Sequence, residues 1–134
     1  MQLFHLTTAH SLSEILLYGL LPERSQSSLK AVFLTDCRLV AENYASMKDE
    51  TCALLSIDAV EQFRLGPDNY ELQHALHEMD PKELEDRGLY EGSGWQDCTW
   101  QQSLSICNQV ACYSRIPPEY IAVLDLVTPT KNKG

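Results

Sequence analysis

The sequence predicts one α+β domain spanning residues 1–134, and three observations support this prediction. The length of 134 residues, with 44% apolar and 22% charged residues, is typical of one globular domain. Short apolar runs of strand type alternate with segments whose apolar residues recur at helical intervals. No internal repeat or glycine-rich nucleotide motif occurs, so a repeat protein, a Rossmann domain and a P-loop domain are not expected.

The N-terminal segment predicts a strand followed by a helix. Residues 2–7, QLFHLT, form a short apolar run that is typical of a buried strand. The next segment, SLSEILLYGLLP, places leucine and isoleucine at helical spacing. Ser11 or Ser13 can cap this helix, and Glu14 follows Ser11 at the spacing of a capping box. Gly19 suits the C-terminal end of the helix, and the proline three residues later prevents its continuation.

A second strand–helix unit and a third strand follow. Residues 31–35, AVFLT, predict a strand, and Asp36 is a candidate N-cap for a helix over residues 37–47, CRLVAENYASM. Residues 52–60, CALLSIDAV, form a continuous apolar run that predicts a third, buried strand. The predicted order up to this point is therefore β-α-β-α-β.

The second half of the chain is more polar and closes with two strands. Residues 65–95 are acidic and rich in glycine and proline, which favours one or two short helices joined by loops. The segment 99–108 is compatible with either helix or loop. Residues 109–114 and 121–127 predict two strands separated by a Pro-Pro turn, and residues 128–134 predict a loose tail. Segregated strands and helices of this kind indicate the α+β class.

Composition excludes several classes of function. No apolar run approaches the roughly 18 residues that cross a bilayer, and no basic segment precedes an apolar one as in a signal peptide, so we expect a cytoplasmic protein with no membrane partner. The net charge of −9 argues against a broad electrostatic grip on nucleic acid, although a local basic pocket remains open.

The cysteines and histidines do not indicate a metal site. The five cysteines are odd in number and include no C-x-x-C pair, so we expect reduced, half-buried thiols with a structural role. His74 and His77 are three residues apart on a predicted helix, but no second pair of ligands is spaced to complete a zinc site.

Three separated motifs carry the candidate chemistry. The first is His5-Leu6-Thr7 on the opening strand, the second is VFLTDCRLVAENYA over residues 32–45, and the third is CNQVACYSRIPPEYI over residues 107–121. In this order and spacing they resemble the ADP-ribosyltransferase superfamily of the His-Tyr-Glu type, including its DarT-like and poly(ADP-ribose)-polymerase-like members. The resemblance implies split mixed and antiparallel β-sheets with flanking helices, and NAD as the substrate.

The resemblance also assigns roles to individual residues. It places His5 and Thr7 where the family binds the adenosine ribose, and it places Phe33 and Tyr44 where two aromatic residues bind the nicotinamide end. Gln109 falls at the position of the catalytic glutamate. The implied catalytic set is His5, Tyr44 and Gln109, and the implied NAD-binding set is His5, Thr7, Phe33 and Tyr44.

The chemistry of NAD cleavage explains why such residue types are needed. Nicotinamide is a planar ring, and an aromatic side chain that stacks on it contributes about 0.5–1.5 kcal/mol beyond area burial. Tyr44 and Phe33 can provide these faces. Cleavage of the nicotinamide–ribose bond develops oxocarbenium character, which a carboxylate near the ribose stabilises.

The sequence departs from the family at three positions. Gln109 is neutral where the family has a glutamate, Leu6 replaces the glycine after the histidine, and Ala41 replaces the serine that holds the nicotinamide amide. Three explanations of Gln109 are open. It is an engineered Glu→Gln change in a toxic enzyme, or the chain is a natural weak or inactive NAD binder, or another acid serves, with Glu119 and Glu91 the nearest in sequence.

Three functions follow from the resemblance. The first is transfer of ADP-ribose to a macromolecule, with RNA or single-stranded DNA favoured by the DarT similarity and protein by the acidic charge, in a bacterial or phage-defence toxin that has a possible antitoxin partner. The second is RNA 2′-phosphotransfer, which requires arginines around the histidine motif. The third is an inactive NAD-pocket binding or inhibitor module.

A tryptophan-containing, glycine-rich segment around Trp95 and Trp100 either covers a ligand or belongs to the core.

Overall fold

The computed structural model describes residues 1–58 and 60–129. The strands in this part of the chain are β1 (Leu3–Thr8), β2 (Val32–Thr35), β3 (Cys52–Ile57), β4 (Leu65–Pro67), β5 (Gln109–Cys112) and β6 (Ile121–Val127). The α-helices are α1 (Leu12–Tyr18), α2 (Arg38–Ala45), α3 (Glu71–Glu78), α4 (Pro81–Asp86) and α5 (Trp100–Cys107). The prediction of an α+β fold is confirmed.

The strands form one six-stranded sheet in the order β4-β5-β2-β1-β3-β6. Every strand pair in it is antiparallel. Of the expected split mixed and antiparallel sheets, the described residues therefore show the antiparallel pairing but neither mixed pairing nor a division into separate sheets. The connection from β1 to β2 contains α1 and a long loop over residues 19–31. A connection of this length can join either parallel or antiparallel strands. The helix between β1 and β2 therefore did not require the two strands to be parallel.

The sheet is weakest at its centre, between β1 and β2. These strands share a single registered pair, Phe4 with Thr35, whereas β1 and β3 pair at six successive positions. The ladder between β1 and β2 therefore does not extend to His5, the next residue on β1. This gap in the ladder leaves room for a side chain to bind the backbone of the neighbouring strand.

Burial explains the apolar runs of the sequence. All six residues of β3 are buried, which accounts for a continuous apolar run rather than alternating polar and apolar residues. The main core cluster includes Leu3, Val32, Leu55, Val110 and Ile116. A second cluster under α3 and α4 contains Leu72, Leu76, Leu84, Leu89 and Cys98. The last strand, β6, is an edge strand with mostly exposed side chains.

Several predicted boundaries change in the structure. The third strand ends at Ile57, and Ala59 of the predicted run lies outside the described residues, as do residues 130–134 of the predicted tail. The short strand β4 was not predicted, because its Gly-Pro sequence is typical of a turn. The ambiguous segment 99–108 contains helix α5, which begins with a capping box between Thr99 and Gln102.

One predicted helix cap is wrong, and the other is at the predicted position but makes no capping hydrogen bond. Asp36 does not cap α2, whose N-cap is Cys37 without a side-chain hydrogen bond; the Asp36 carboxylate instead accepts a hydrogen bond from Asn108. Ser11 is the N-cap of α1, but its hydroxyl forms a hydrogen bond with the Thr8 hydroxyl and none with a backbone amide of the helix. No described helix has the length and apolar character needed to span a membrane.

Gly19 ends α1 as predicted, and it is required there for two reasons. Its φ of 89° favours glycine, and a Cβ at this position would lie 2.2 Å from the carbonyl oxygen of Ile116. Gly88 also has a positive φ, of 77°, but a Cβ there would meet nothing within 4 Å.

We predict that Gly19→Ala lowers the free energy of unfolding by about 3 kcal/mol or more, and Gly88→Ala by only about 1 kcal/mol. Both substitutions strain the backbone, and only the first adds a clash with neighbouring backbone. Urea denaturation of the two variants measures the difference. Equal destabilisation would contradict the close approach of Gly19 to Ile116.

Candidate active site

A cleft of about 330 Å³ opens beside the gap in the sheet. Its walls come from β1, β2, β5, helix α2 and the first turn of α3. The cleft contains four of the residues that the sequence singled out: His5, Phe33, Tyr44 and Gln109. Thr7 does not line it. Thr7 lies in a neighbouring cavity of about 250 Å³ that shares His5 and Phe33 with the cleft.

Gln109 and Tyr44 meet directly within the cleft. The side-chain nitrogen of Gln109 donates a hydrogen bond of 2.6 Å to the phenol oxygen of Tyr44. Gln109 pairs with Thr35 in the sheet, and Thr35 pairs with Phe4, so these three residues share one face. Helix α2 places Tyr44 against that face. Residues far apart in the sequence are thus brought together by sheet register and one helix.

The backbone before Gln109 is held by a compact set of hydrogen bonds. Asn108 has a positive φ of 63°, a conformation that asparagine tolerates well. Its carbonyl accepts hydrogen bonds from the Thr35 hydroxyl at 2.6 Å and from the Asp36 amide at 3.2 Å, and its side-chain nitrogen donates to Asp36 at 3.0 Å. These contacts fix the start of β5 against the end of β2.

Ser103 connects Gln109 to the other wall of the cleft. Its side chain is fully buried, and its hydroxyl donates to the Gln109 carbonyl at 2.5 Å and accepts from the Asp68 amide at 3.0 Å. Asp68 itself is only 3% exposed and lines the cleft. Two cleft residues are therefore tied to one hydroxyl of helix α5.

His5 fills the gap between β1 and β2. Its Nδ1 donates a 2.7 Å hydrogen bond to the carbonyl oxygen of Phe33, because a carbonyl can only accept. Burial lowers the pKa of His5, and the hydrogen bond to Phe33 opposes this effect only in part. The imidazole is therefore neutral at pH 7, and its unprotonated Nε2 is left to accept a hydrogen bond from a ligand hydroxyl.

The phenol of Tyr44 is also held neutral. Burial is the largest cause of its raised pKa, and the nearby carboxylates of Glu71 and Asp68 raise the pKa further, while the bond to Gln109 acts in the opposite direction. The Tyr44 side chain is half-buried and retains a ring surface in the cleft.

Asp68 and Glu71 are cleft residues that the sequence did not identify as functional. Asp68 lies three residues before the first residue of helix α3, and one of its carboxylate oxygens accepts from the amides of Tyr70 at 2.8 Å and Glu71 at 2.7 Å. Burial raises the pKa of Asp68, and these backbone hydrogen bonds oppose the increase. The Asp-x-x-Glu spacing is a helix-start signal, but nothing in the sequence places it beside Tyr44.

The acids that the sequence suggested as substitutes for Gln109 lie elsewhere. Glu119 is exposed on the 3₁₀ helix Pro118–Tyr120, and Glu91 is exposed beside a different cavity. Neither lines the cleft. Trp95 packs against the second core cluster and Trp100 against the main one, so both belong to the core rather than to a ligand-covering loop. Ala41, at the family's serine position, lines the cleft with a methyl group.

The thiols and histidines form no metal site in the described part of the chain. All five cysteines are free, and three of them are buried. Within residues 1–58 and 60–129, no group of three or more His, Cys, Asp or Glu side chains converges on a point. His74 instead packs edge-on against Tyr70, with ring centroids 4.5 Å apart.

Comparison with known proteins finds no match to this chain. No family model matches the chain, and neither a curated protein nor a solved structure matches it.

The neutral, half-buried His5 makes stability depend on pH. Because its folded-state pKa is lowered, the unfolded chain binds more protons over the interval between the folded pKa and the ordinary value of 6.5. The free energy of unfolding is therefore expected to fall as pH decreases below about 6.5, by at most about 1.4 kcal/mol per pH unit from this group. We expect His5→Asn to reduce that slope, as measured by urea denaturation between pH 5 and 7.

His77→Asn is the matched control, since His77 is exposed on helix α3. Its slope should equal that of the parent protein. An unchanged slope in His5→Asn would show that the fold does not lower the pKa of His5.

Proposed function

We propose that this protein is an NAD-dependent ADP-ribosyltransferase that transfers ADP-ribose to a macromolecule. The observation that supports the proposal is the convergence of His5, Phe33, Tyr44 and Gln109 on one cleft. These residues come from three separated motifs of the sequence, and a purely structural role would not require them to share a cavity. The acceptor favoured by the motifs is nucleic acid, as RNA or single-stranded DNA, ahead of protein.

The cleft suits the nicotinamide end of NAD by charge as well as by shape. In NAD the nicotinamide ring is a pyridinium and carries a positive charge. Aromatic faces attract cations by about 0.5–2 kcal/mol, and Phe33 and Tyr44 provide such faces. The carboxylate of Glu71 adds negative potential beside them. Neutral nicotinamide, the product, loses this attraction, which favours its release after cleavage.

The neighbouring cavity suits the remainder of the dinucleotide. The two cavities, of about 330 and 250 Å³, share His5 and Phe33 and together have the volume of a small-molecule site. His5 lines both cavities, and its Nε2 is the ring nitrogen that can accept a hydrogen bond from a ribose hydroxyl there. The hydroxyl of Thr7, which lines the smaller cavity, offers a further hydrogen-bonding group to a ribose.

A non-catalytic NAD-binding module is the second candidate, and Gln109 favours it. The Gln109 amide keeps a hydrogen bond to Tyr44 but carries no charge to stabilise an oxocarbenium ion. RNA 2′-phosphotransfer has less support. The one arginine beside the histidine cavity, among the described residues, is Arg24, and it is paired with Glu14.

The biological role that fits this proposal is a cytoplasmic toxin of a bacterial or phage-defence system, paired with an antitoxin protein. The net charge of −9 limits non-specific attraction to nucleic acid. A nucleic-acid acceptor would then be bound by local contacts at the mouth of the cleft, where Lys48 is the basic lining residue.

If Tyr44 stacks on nicotinamide, Tyr44→Ala should weaken NAD binding by about tenfold or more. The loss combines stacking, cation–π attraction and buried area. Isothermal titration calorimetry measures the dissociation constants. Tyr90→Ala is the control, because Tyr90 is exposed and does not line the cleft, and it should bind NAD as the parent does. Equal affinity in Tyr44→Ala and the parent would remove the stacking role.

Gln109→Glu should raise the rate of nicotinamide release from NAD by about 100-fold or more, because it restores a carboxylate where charge develops. The Tyr44 phenol can donate to that carboxylate, so the contact between the two residues persists. The assay follows nicotinamide release and transfer of labelled ADP-ribose to RNA, DNA or lysate proteins. Unchanged release in a variant that still binds NAD would count against a catalytic role for position 109.

A further inference from the structure

Gln109 leaves the cleft without the charge that NAD cleavage needs, but the cleft does contain carboxylates. The two acids on its walls are Asp68 and Glu71, and both lie close enough to raise the pKa of Tyr44 through their charge. Glu71 is the first residue of α3 and Asp68 lies shortly before it, whereas Gln109 lies on β5. A carboxylate can therefore reach the ligand from a different element of the fold.

Asp68 has a structural role. It is 3% exposed, and its carboxylate accepts hydrogen bonds from two backbone amides at the start of α3. Glu71 differs in both respects. It is half-buried, and within residues 1–58 and 60–129 its carboxylate has no hydrogen bond or ion pair to another side chain. Its negative charge is thus available to a ligand in the cleft.

The position of Glu71 is fixed by a short chain of hydrogen bonds that leads to Gln109. The Glu71 amide donates to the Asp68 carboxylate at 2.7 Å, the Asp68 amide donates to Ser103, and the Ser103 hydroxyl donates to the Gln109 carbonyl. Ser103 is fully buried, so water does not compete for these bonds. The backbone of Glu71 is therefore held relative to the residue whose missing charge it would replace.

We propose that Glu71 is the catalytic carboxylate of this cleft and that, with water as the acceptor, the protein hydrolyses NAD to nicotinamide and ADP-ribose. This inference rests on the proposed NAD site. The bond between ribose C1′ and the nicotinamide nitrogen breaks, and its electron pair passes to that nitrogen and neutralises the pyridinium. Water adds its oxygen to C1′. Glu71 stabilises the cationic ribose and accepts the proton that the water loses, which then passes to solvent.

The test compares the parent protein with Glu71→Gln and Glu78→Gln. Glu78 is an exposed glutamate at the far end of the same helix, so it controls for the loss of one negative charge on α3. We expect the parent to release nicotinamide from NAD, Glu71→Gln to release it about 100-fold more slowly, and Glu78→Gln to match the parent. The dissociation constant for NAD, measured by calorimetry, should rise by less than about tenfold in Glu71→Gln, because the carboxylate also attracts the pyridinium, and this smaller effect separates binding from catalysis.

Glu71→Asp is the second variant, and it keeps the charge but shortens its reach. An intermediate rate of nicotinamide release is expected from it, and this variant decides the matter if Glu71→Gln does not fold. Rates equal to the parent in Glu71→Gln, or in Glu71→Asp where that variant must decide, would overturn the role of Glu71 and leave the NAD site intact. A parent that binds NAD without releasing nicotinamide would also overturn it, in favour of a binding module. Absence of NAD binding in the parent would instead remove the proposed function itself.

Discussion

The hydrogen bond between the Gln109 amide and the Tyr44 phenol joins β5 to helix α2 across the candidate site. A bond of this kind contributes only about 1 kcal/mol to stability, so its importance is geometric. It sets the distance between the Tyr44 ring and the position on β5 where the resemblance expects a glutamate. The hydrogen bonds of Asn108 and Ser103 hold the backbone at Gln109 in place. His5 lies in the gap between β1 and β2, where it bonds the Phe33 carbonyl.

The elements of this fold could largely be predicted because they depend on local patterns. Buried strands such as β3 and the amphipathic helix α2 follow from apolar spacing, and the end of α1 follows from Gly19. The sheet order and the uniformly antiparallel pairing could not be predicted, since they depend on which distant strands bury each other. The N-cap of α1 is Ser11 as predicted, but neither Ser11 nor Asp36 makes a capping hydrogen bond, because their side chains bind Thr8 and Asn108, partners that sequence spacing does not show.

The candidate site was likewise predictable where it depends on local sequence motifs and not where it depends on tertiary packing. The sequence singled out His5, Phe33, Tyr44 and Gln109 because they occur in three motifs, and all four line one cleft. Asp68 and Glu71 were missed because their spacing signals only the start of a helix, and their approach to Tyr44 depends on how α3 packs against α5. Glu119 and Glu91 were close to the motifs in sequence but far from the cleft in the structure. Proximity in sequence was therefore a poor guide to which acid could replace a missing glutamate.

The charges of the cleft set a physical conflict for a dinucleotide ligand. The pyridinium end of NAD would be favoured by Tyr44, Phe33 and Glu71, whereas the pyrophosphate would be disfavoured by a chain with a net charge of −9. Lys48 is the basic group on the cleft wall, and Arg24 beside the second cavity is paired with Glu14. Binding would thus depend on the aromatic end of the ligand more than on phosphate contacts, and it would depend weakly on salt.

The most direct test of the central claim is a titration of the ¹⁵N-labelled protein with NAD, followed by the amide signals of His5, Tyr44 and Gln109 in NMR spectra. The account predicts saturable shifts at these three amides with one dissociation constant, while the signals of the exposed edge strand β6 stay unchanged. A titration in which the three amides do not move, or in which they shift without saturating, would contradict an NAD site between β1, α2 and β5.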